Sequence, residues 1–339
     1  MRMRARGLKE LRAVLAPVAA GMGVMAAAAA LLVPALGGGA GEDGPGRGGA
    51  VSPAVTHRAY GPGAGPAAAP CTARNAAESL RPSSDDGAAV SRIKEKGQLV
   101  VGVDQNTYRW GYRNPTTGAL EGFDIDLARA VAEDILGPHP KVVFKAVGTS
   151  RRIPALQQRA VDIVVRTMTI NCARKEQVAF STAYFQAGQQ VLAPKASKIT
   201  AFDDSLRGKR VCTAAGSTGE SELSARPHGA KVLTVPNQLD CLVRLQLGEA
   251  DAVVTDSALA AAQAAQDPAV ELKGRPFTDE PYGVAMNKDD TDLVRRVNKV
   301  LADYRGDGAT DSPWMRAYQK WLRADLPGIS GPPSPEYSD

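Results

Sequence analysis

LQQRAVDIVVRT, residues 156–167, and LQLGEADAVVTD, residues 245–256, carry one pattern twice. Leu156/Leu245, Gln157/Gln246, Asp162/Asp251, Val164/Val253 and Val165/Val254 recur at a constant offset. Each copy reads as a helix end, a turn, a buried strand and a polar residue at the strand's carboxyl tip. The pattern suits any helix-to-strand turn, so coincidence is the alternative. The reading taken is of two similar α/β lobes, each presenting a strand tip outward. In open α/β sheets, ligands bind beyond the carboxyl ends of strands. Thr167–Thr169 and Thr255–Asp256 are therefore candidate halves of one site.

Working outward from the first copy, SRIKEKG (91–97) reads as a helix closed by Gly97, and QLVVGVD (98–104) as a buried strand. FDIDLARAVAEDILG puts Leu127, Val131 and Ile135 on one helical face, with Asp124 as N-cap. KVVFKAV (141–147) is a strand and RRIPALQQRA (151–160) a short helix with Pro154 in its first turn. Strands alternating with helices imply a mostly parallel, helix-covered sheet. KRVCTA (209–214) opens the second lobe. QQVLAP (189–194) and YGVAMNK (282–288) match in length and character, as two crossover strands forming a hinge would. In the last helix, Trp314, Tyr318, Trp321 and Leu322 form a stripe read as core rather than as a ligand cage.

The chain has 339 residues and a formal net charge of +5, yet Arg2, Arg4, Arg6, Lys9 and Arg12 fall in its first twelve residues. The body is near neutral, which argues against a nucleic-acid binder. Residues 13–40 carry no charge and are long enough to span a bilayer, with basic residues before and acidic ones after. Residues 1–40 are thus expected to be either a cleaved signal peptide or a retained anchor, with everything after them outside the cytoplasm. A Gly/Pro/Ala-rich linker is expected over 41–89. Four cysteines (Cys71, Cys172, Cys212, Cys241) in an exported chain favour two bridges, with three connectivities open. None of their spacings resembles a zinc site.

The chemistry gathers at the strand tips. Thr169 and Arg174 lie on a loop leaving a buried strand and entering a helix, whose N-terminus attracts anions. Arg174 adds a planar fork for a carboxylate. Ser217, Thr218 and Gly219 make a similar turn in the other lobe. Asp256 ends an apolar strand and needs a cation. The alternatives are a surface helix charge for Arg174 and a helix N-cap for Asp256. Taken together, the residues make a carboxylate site and an ammonium site, the outline of a free amino acid.

GFDIDLARAVA, RIPALQQRAVDIVV, TMTINCARKEQVAFSTAYF, GKRVCTAAGSTGE and LQLGEADAVVTD resemble, in order, the family 3 solute-binding proteins of amino-acid ABC importers, nearest to the glutamate/glutamine type. The resemblance runs from about residue 91 to 323. It implies a two-lobed, type II periplasmic-binding-protein-like fold of the α/β class, each lobe a mostly parallel sheet flanked by helices, with a two-strand hinge. Lobe 1 is expected over 90–190 plus 285–325, lobe 2 over 191–284, and a tail over 326–339. It implies that Thr167, Thr169 and Arg174 hold the α-carboxylate and amino group, that Asp256 binds the ammonium, that Thr218 donates to the carboxylate, and that Asp104 is a further pocket position. It also implies a Cys212–Cys241 bridge; Cys71–Cys172 follows only once that bridge is granted.

Three departures concern the pocket. Cys172 replaces a common acid or proline, Thr167 stands where a smaller residue is frequent, and only Tyr108 and Trp110 come near the family's pocket aromatics. Arg152 and Arg166 lie close in sequence to the pocket and suit a second carboxylate, the alternative being that both are solvated. Glutamate is therefore expected first, then glutamine, aspartate or asparagine. The resemblance implies a monomer that captures an amino acid by hinge closure and docks on a membrane permease. It implies no cofactor, metal or nucleic acid. Its location would be the outer face of the membrane, or secretion if the leader is cleaved. A membrane-anchored sensor working through a separate partner is the alternative. A dehydratase or lytic enzyme on the same fold is the other, but His57, His139 and His228 neighbour no nucleophile motif and GSTG is not the GxSxG elbow.

Overall fold

The computed structural model describes residues 70–306 and 311–339. The expected leader over 1–40 and most of the expected linker lie outside the described residues. Among the described residues no helix is long and apolar enough to cross a membrane.

The chain opens with α1 (Ala88–Lys96), closed by Gly97 at φ 61°, the left-handed cap that frees the next residue to turn away. Then come β1 (Leu99–Val103), a small sheet of β2 (Asn106–Thr107), β3 (Gly111–Arg113) and β4 (Leu120–Glu121), and α2 (Phe123–Leu136). β5 (Val142–Ala146), α3 (Arg152–Gln157), β6 (Ile163–Thr169), α4 (Cys172–Lys175), β7 (Ala179–Phe180) and β8 (Phe185–Ala187) complete the first passage. The second lobe follows as β9 (Gln189–Pro194), β10 (Arg210–Ala214), α5 (Thr218–Ala225), β11 (Lys231–Val235), α6 (Gln238–Gln246), β12 (Ala252–Asp256), α7 (Ser257–Gln266) and β13 (Val270–Lys273). The chain returns as β14 (Glu280–Met286), followed by α8 (Thr291–Arg305) and α9 (Pro313–Trp321).

The two main sheets run β5-β1-β6-β14-β7, with β8 also beside β14, and β11-β10-β12-β9-β13. The repeated segments occupy equivalent places. β6 is parallel to β1 and antiparallel to β14, while β12 is parallel to β10 and antiparallel to β9. The repeated aspartate does the same work in both. Asp162 Oδ2 accepts from Val100 N–H at 2.9 Å and Asp251 Oδ2 from Arg210 N–H at 2.7 Å, each pinning the start of the neighbouring strand. Each sheet is mostly parallel at its centre, with antiparallel partners on one side.

The crossings fall at Gly188 and at Thr278–Asp279 rather than after residues 190 and 284, because β8 pairs with β14 (Glu280 opposite Ala187) before the chain leaves the first sheet. Phe277 N–H donates to Gln189 O at 2.9 Å, joining the two crossings. β9 and β14 themselves belong to different sheets, and the chain passes between the two sheets at the pair of short crossings.

Each lobe has its own apolar core. In the first, Phe185 meets Trp110 and Phe123 edge-on and stacks on Trp314, which meets Phe123 edge-on, and Trp314, Tyr318 and Leu322 are buried as the stripe requires. Trp321 is half-buried, its indole N–H bonded to Asp126 at 2.7 Å. In the second, Leu192, Val253 and Leu242 surround the Cys212–Cys241 bridge. Cys71–Cys172 is the other disulfide.

Four expectations are corrected. Asp124 is no cap: Gly122 holds the N-cap position, and Asp124 points inward beneath the sheet. α4 has four residues, too short for the helix-end dipole expected beside Arg174. Residues 70–87 are not linker but are tied to the first lobe, as by Ser79 Oγ–Phe180 O at 2.7 Å and Lys175 Nζ–Glu78 O at 2.8 Å. The tail packs too, since Ser79 bridges Tyr337 and Leu326 and Ile329 rest on the core. Composition misreads these stretches because few apolar residues anchor them, and polar bonds, with a disulfide in the first, do the rest.

Candidate functional site

The tips of β6 and β12 face one cavity between the lobes. From the first lobe it is lined by Asp104, Arg152, Arg166, Thr167, Thr169 and Arg174, and from the second by Ser217, Thr218 and Asp256. All nine residues singled out in the sequence are brought together. Its free volume is ≈ 20 Å³, room for about one water molecule. An amino acid enters only if the lobes part.

On the first lobe, Arg166 Nη2 stands 2.9 Å from Asp104 Oδ2, both side chains buried. Asp104 also accepts from Thr107 Oγ1 at 2.8 Å and from the N–H groups of Gln105 and Asn106. Arg166 is therefore already partnered by an acid, whereas Arg152 and Arg174 donate only to carbonyls. Arg152 reaches Thr149 O and Arg166 O (2.9 and 3.3 Å), and Arg174 reaches Thr169 O (2.8 Å). Both also cross the cleft to Gly216 O, at 3.4 and 3.1 Å. Arg174 is thus not a surface helix charge. Burial pulls both guanidiniums below their usual pKa.

Thr167 sits at φ 41°, a conformation costly for a β-branched residue. Asp124 holds it there: Oδ2 accepts from Thr167 N–H at 3.1 Å and Oδ1 from Tyr184 OH at 2.9 Å. Burial pushes the Asp124 carboxyl up to about 7 against those two bonds.

On the second lobe, Ser217 caps α5 by accepting from Glu220 N–H at 3.2 Å, which fixes the turn presenting Thr218. Asp256 occupies the N-cap position of α7, but its side chain makes no cap bond. It turns into the cleft instead, accepting from Tyr282 OH at 2.6 Å and from Gln189 Nε2. Burial, and next the charge of Glu280, push it up to about 7. A buried acid in that state is completed by a cation.

Sequence reasoning missed Thr149, Gln189, Gln238, Glu280 and Tyr282. The first three also line the cavity. Among the described residues that line the cavity, Thr149 Oγ1, Arg166 Nε and Nη2, Gln189 Oε1 and Gln238 Nε2 are buried without a hydrogen-bond partner, the Arg166–Asp104 contact being an ion pair only. The one signal for Gln189 was a polar residue opening an apolar run, which also describes an ordinary strand end. Tyr108 and Trp110 do not line the cavity. Trp110 is buried in the first-lobe core and Tyr108 packs against that core, since β2–β4 fold over α2.

The ABC transporter glutamine-binding protein GlnH of Bacillus subtilis (strain 168) is 39% identical over 236 residues, 70% of this chain and 85% of that protein. The glutamine-binding protein of Geobacillus stearothermophilus is 38% identical over 222 residues, 62% of this chain and 85% of that protein. Among solved structures, an ancestral arginine-binding protein bound to glutamine superposes with TM-score 0.61 at 37% identity, covering 67% of this chain and 98% of its own. All three are named as amino-acid-binding proteins. A family profile matches residues 99–324, and the chain belongs to the bacterial extracellular solute-binding proteins, family 3.

Proposed function

We propose that the protein captures a polar amino acid, glutamine before glutamate, and delivers it to an ABC permease. The observation that carries this reading is that Arg174 and Asp256, from opposite lobes, face one buried cleft. The ligand's α-carboxylate replaces the Gly216 carbonyl as the partner of Arg174; the hydroxyls of Thr169 and Thr218, expected from the sequence to serve the ligand, donate to Glu280 instead. Its ammonium completes Asp256. Contacts to both lobes exist only when the cleft is shut, so binding drives closure. A retained leader would hold the receptor near its permease and raise the effective concentration there.

The order glutamine before glutamate reverses the expectation from sequence. Arg166, one of two cations assigned to a second carboxylate, is engaged by Asp104 at 2.9 Å. An amide needs both a donor and an acceptor, which Gln238 Nε2 and Gln189 Oε1 supply. The names of the two glutamine-binding relatives agree with this order.

The test is calorimetric titration with each of the twenty amino acids, backed by thermal unfolding. Glutamine at a hundredfold excess over its Kd should add about 2.7 kcal/mol of stability. Arg174→Ala and Asp256→Ala should each weaken binding at least about a hundredfold, since each strands a buried partner. No heat and no stabilisation with any of the twenty would end the reading.

A further inference from the structure

Glu280, the first residue of β14, is 3% exposed. It stands at the returning crossing, one hydroxyl away from the cavity on each side. Its Oε2 accepts from Thr169 Oγ1 of the first lobe and from Thr218 Oγ1 of the second, the latter at 2.9 Å. Its Oε1 accepts from Thr278 Oγ1 at 3.0 Å.

The direction of these bonds can be worked out. Thr218 Oγ1 already accepts from Gln189 Nε2 at 3.0 Å, and Thr278 Oγ1 from Gln189 N–H at 2.8 Å. Thr218 and Thr278 thus keep their own protons free for Glu280. Both carboxyl oxygens are thus met by hydroxyls able to donate, the surroundings that suit a hydrogen-bond acceptor. Among the described residues it makes no salt bridge, so its charge acts on the cleft. Its proximity raises the pKa of Asp256 and opposes the burial shift on Arg174.

We propose that Glu280 is the residue that sets the cleft's charge balance and so selects a ligand with an uncharged side chain, glutamine over glutamate. This rests on the reading of the cleft as an amino-acid site. Without Glu280 the cleft holds the guanidiniums of Arg152, Arg166 and Arg174 against the carboxylates of Asp104 and Asp256. That leaves a surplus positive charge for a ligand with a side-chain carboxylate. The ligand's own carboxylate and ammonium cancel and leave the surplus unchanged. With Glu280 the groups balance, and a second ligand carboxylate enters as an unmatched buried charge. Asp124, behind the β6 tip, deepens that mismatch whenever it is ionised.

The experiment measures Kd for glutamine and glutamate at one pH and salt concentration in wild type, Glu280→Gln, Glu280→Ala and Glu280→Asp. A glutamine at 280 keeps both cleft hydroxyl bonds through its amide oxygen and removes only the charge; alanine removes the charge by a second route. In both neutral variants the ratio Kd(glutamate)/Kd(glutamine) should fall about tenfold or more, the effect of one unit charge at short range in a partly screened interior. In Glu280→Asp it should stay near the wild-type ratio. A purely structural role would weaken both ligands together and leave the ratio alone. A ratio that changes less than tenfold in the neutral variants, or falls as far in Glu280→Asp, overturns the proposal. A wild-type protein that binds neither amino acid overturns the reading of the cleft itself, and this proposal with it.

Discussion

Two carboxyls pushed up to about 7, Asp124 and Asp256, make the site sensitive to pH. Between their ordinary value of 3.8 and about 7 the folded chain holds protons that the unfolded chain has lost. Their contribution to stability therefore falls as pH rises through that window. Urea unfolding of wild type and Asp124→Asn checks this. The stability advantage of wild type over the variant should be smaller at pH 7.5 than at pH 4.5. Ligand binding runs the other way. Asp256 must be ionised to hold an ammonium, with Gln189, Tyr282, Glu280, Arg152 and Arg174 fixed around it. Glutamine affinity should rise as pH climbs from about 5.5 to 8, by up to tenfold per unit below 7. Proton release, measured calorimetrically in buffers of different ionisation heat, should accompany it. At this scale the pocket was legible wherever a polar residue ended an apolar strand, as at Thr169 and Asp256. Gln189 and Glu280 were not legible, because burial at a crossing depends on where the second lobe comes to rest.

Among elements, the repeated aspartate and the turn before α5 have the sharpest consequences. Asp162 is buried and holds the Val100 N–H, while Asp251 is half-exposed and shares itself with Arg210. Asp162→Ala should cost about 1–3 kcal/mol in a denaturant titration, and Asp251→Ala less. Gly216 lies in the left-handed region at φ 76°, and a Cβ there would stand 2.8 Å from the Cα of Ser150 across the cleft. Gly216→Ala should thus meet the opposite lobe only when the cleft shuts. Glutamine affinity should drop about tenfold or more, with a loss of folding stability of only about 1 kcal/mol from the backbone conformation. A variant that binds normally would show that the cleft closes less far than Arg174 and Gly216 O, at 3.1 Å, require.

For the whole molecule, two disulfides act on different things. Cys212–Cys241 closes a separation of 29 residues inside the second lobe and should contribute about 2–4 kcal/mol. Cys71–Cys172 spans 101 residues. It fastens the polar segment 70–87 to α4, which carries Arg174. Replacing Cys71 and Cys172 by serine should expose residues 70–87 to faster hydrogen exchange, while the second lobe keeps its protection. The matching change at Cys212 and Cys241 should do the reverse.

By itself the sequence determined the two lobes, the place of each strand in the repeat and the polar tips that line the cavity between them. Those follow from local periodicity and from turns that sit next to the residues they position. Only the tertiary structure decided that Asp256 declines its helix cap for Tyr282, that Arg166 is engaged by Asp104, and that Glu280 reaches hydroxyls of both lobes. Each depends on which distant group fills the space beside a buried charge, and that is fixed by how the chain crosses between the lobes.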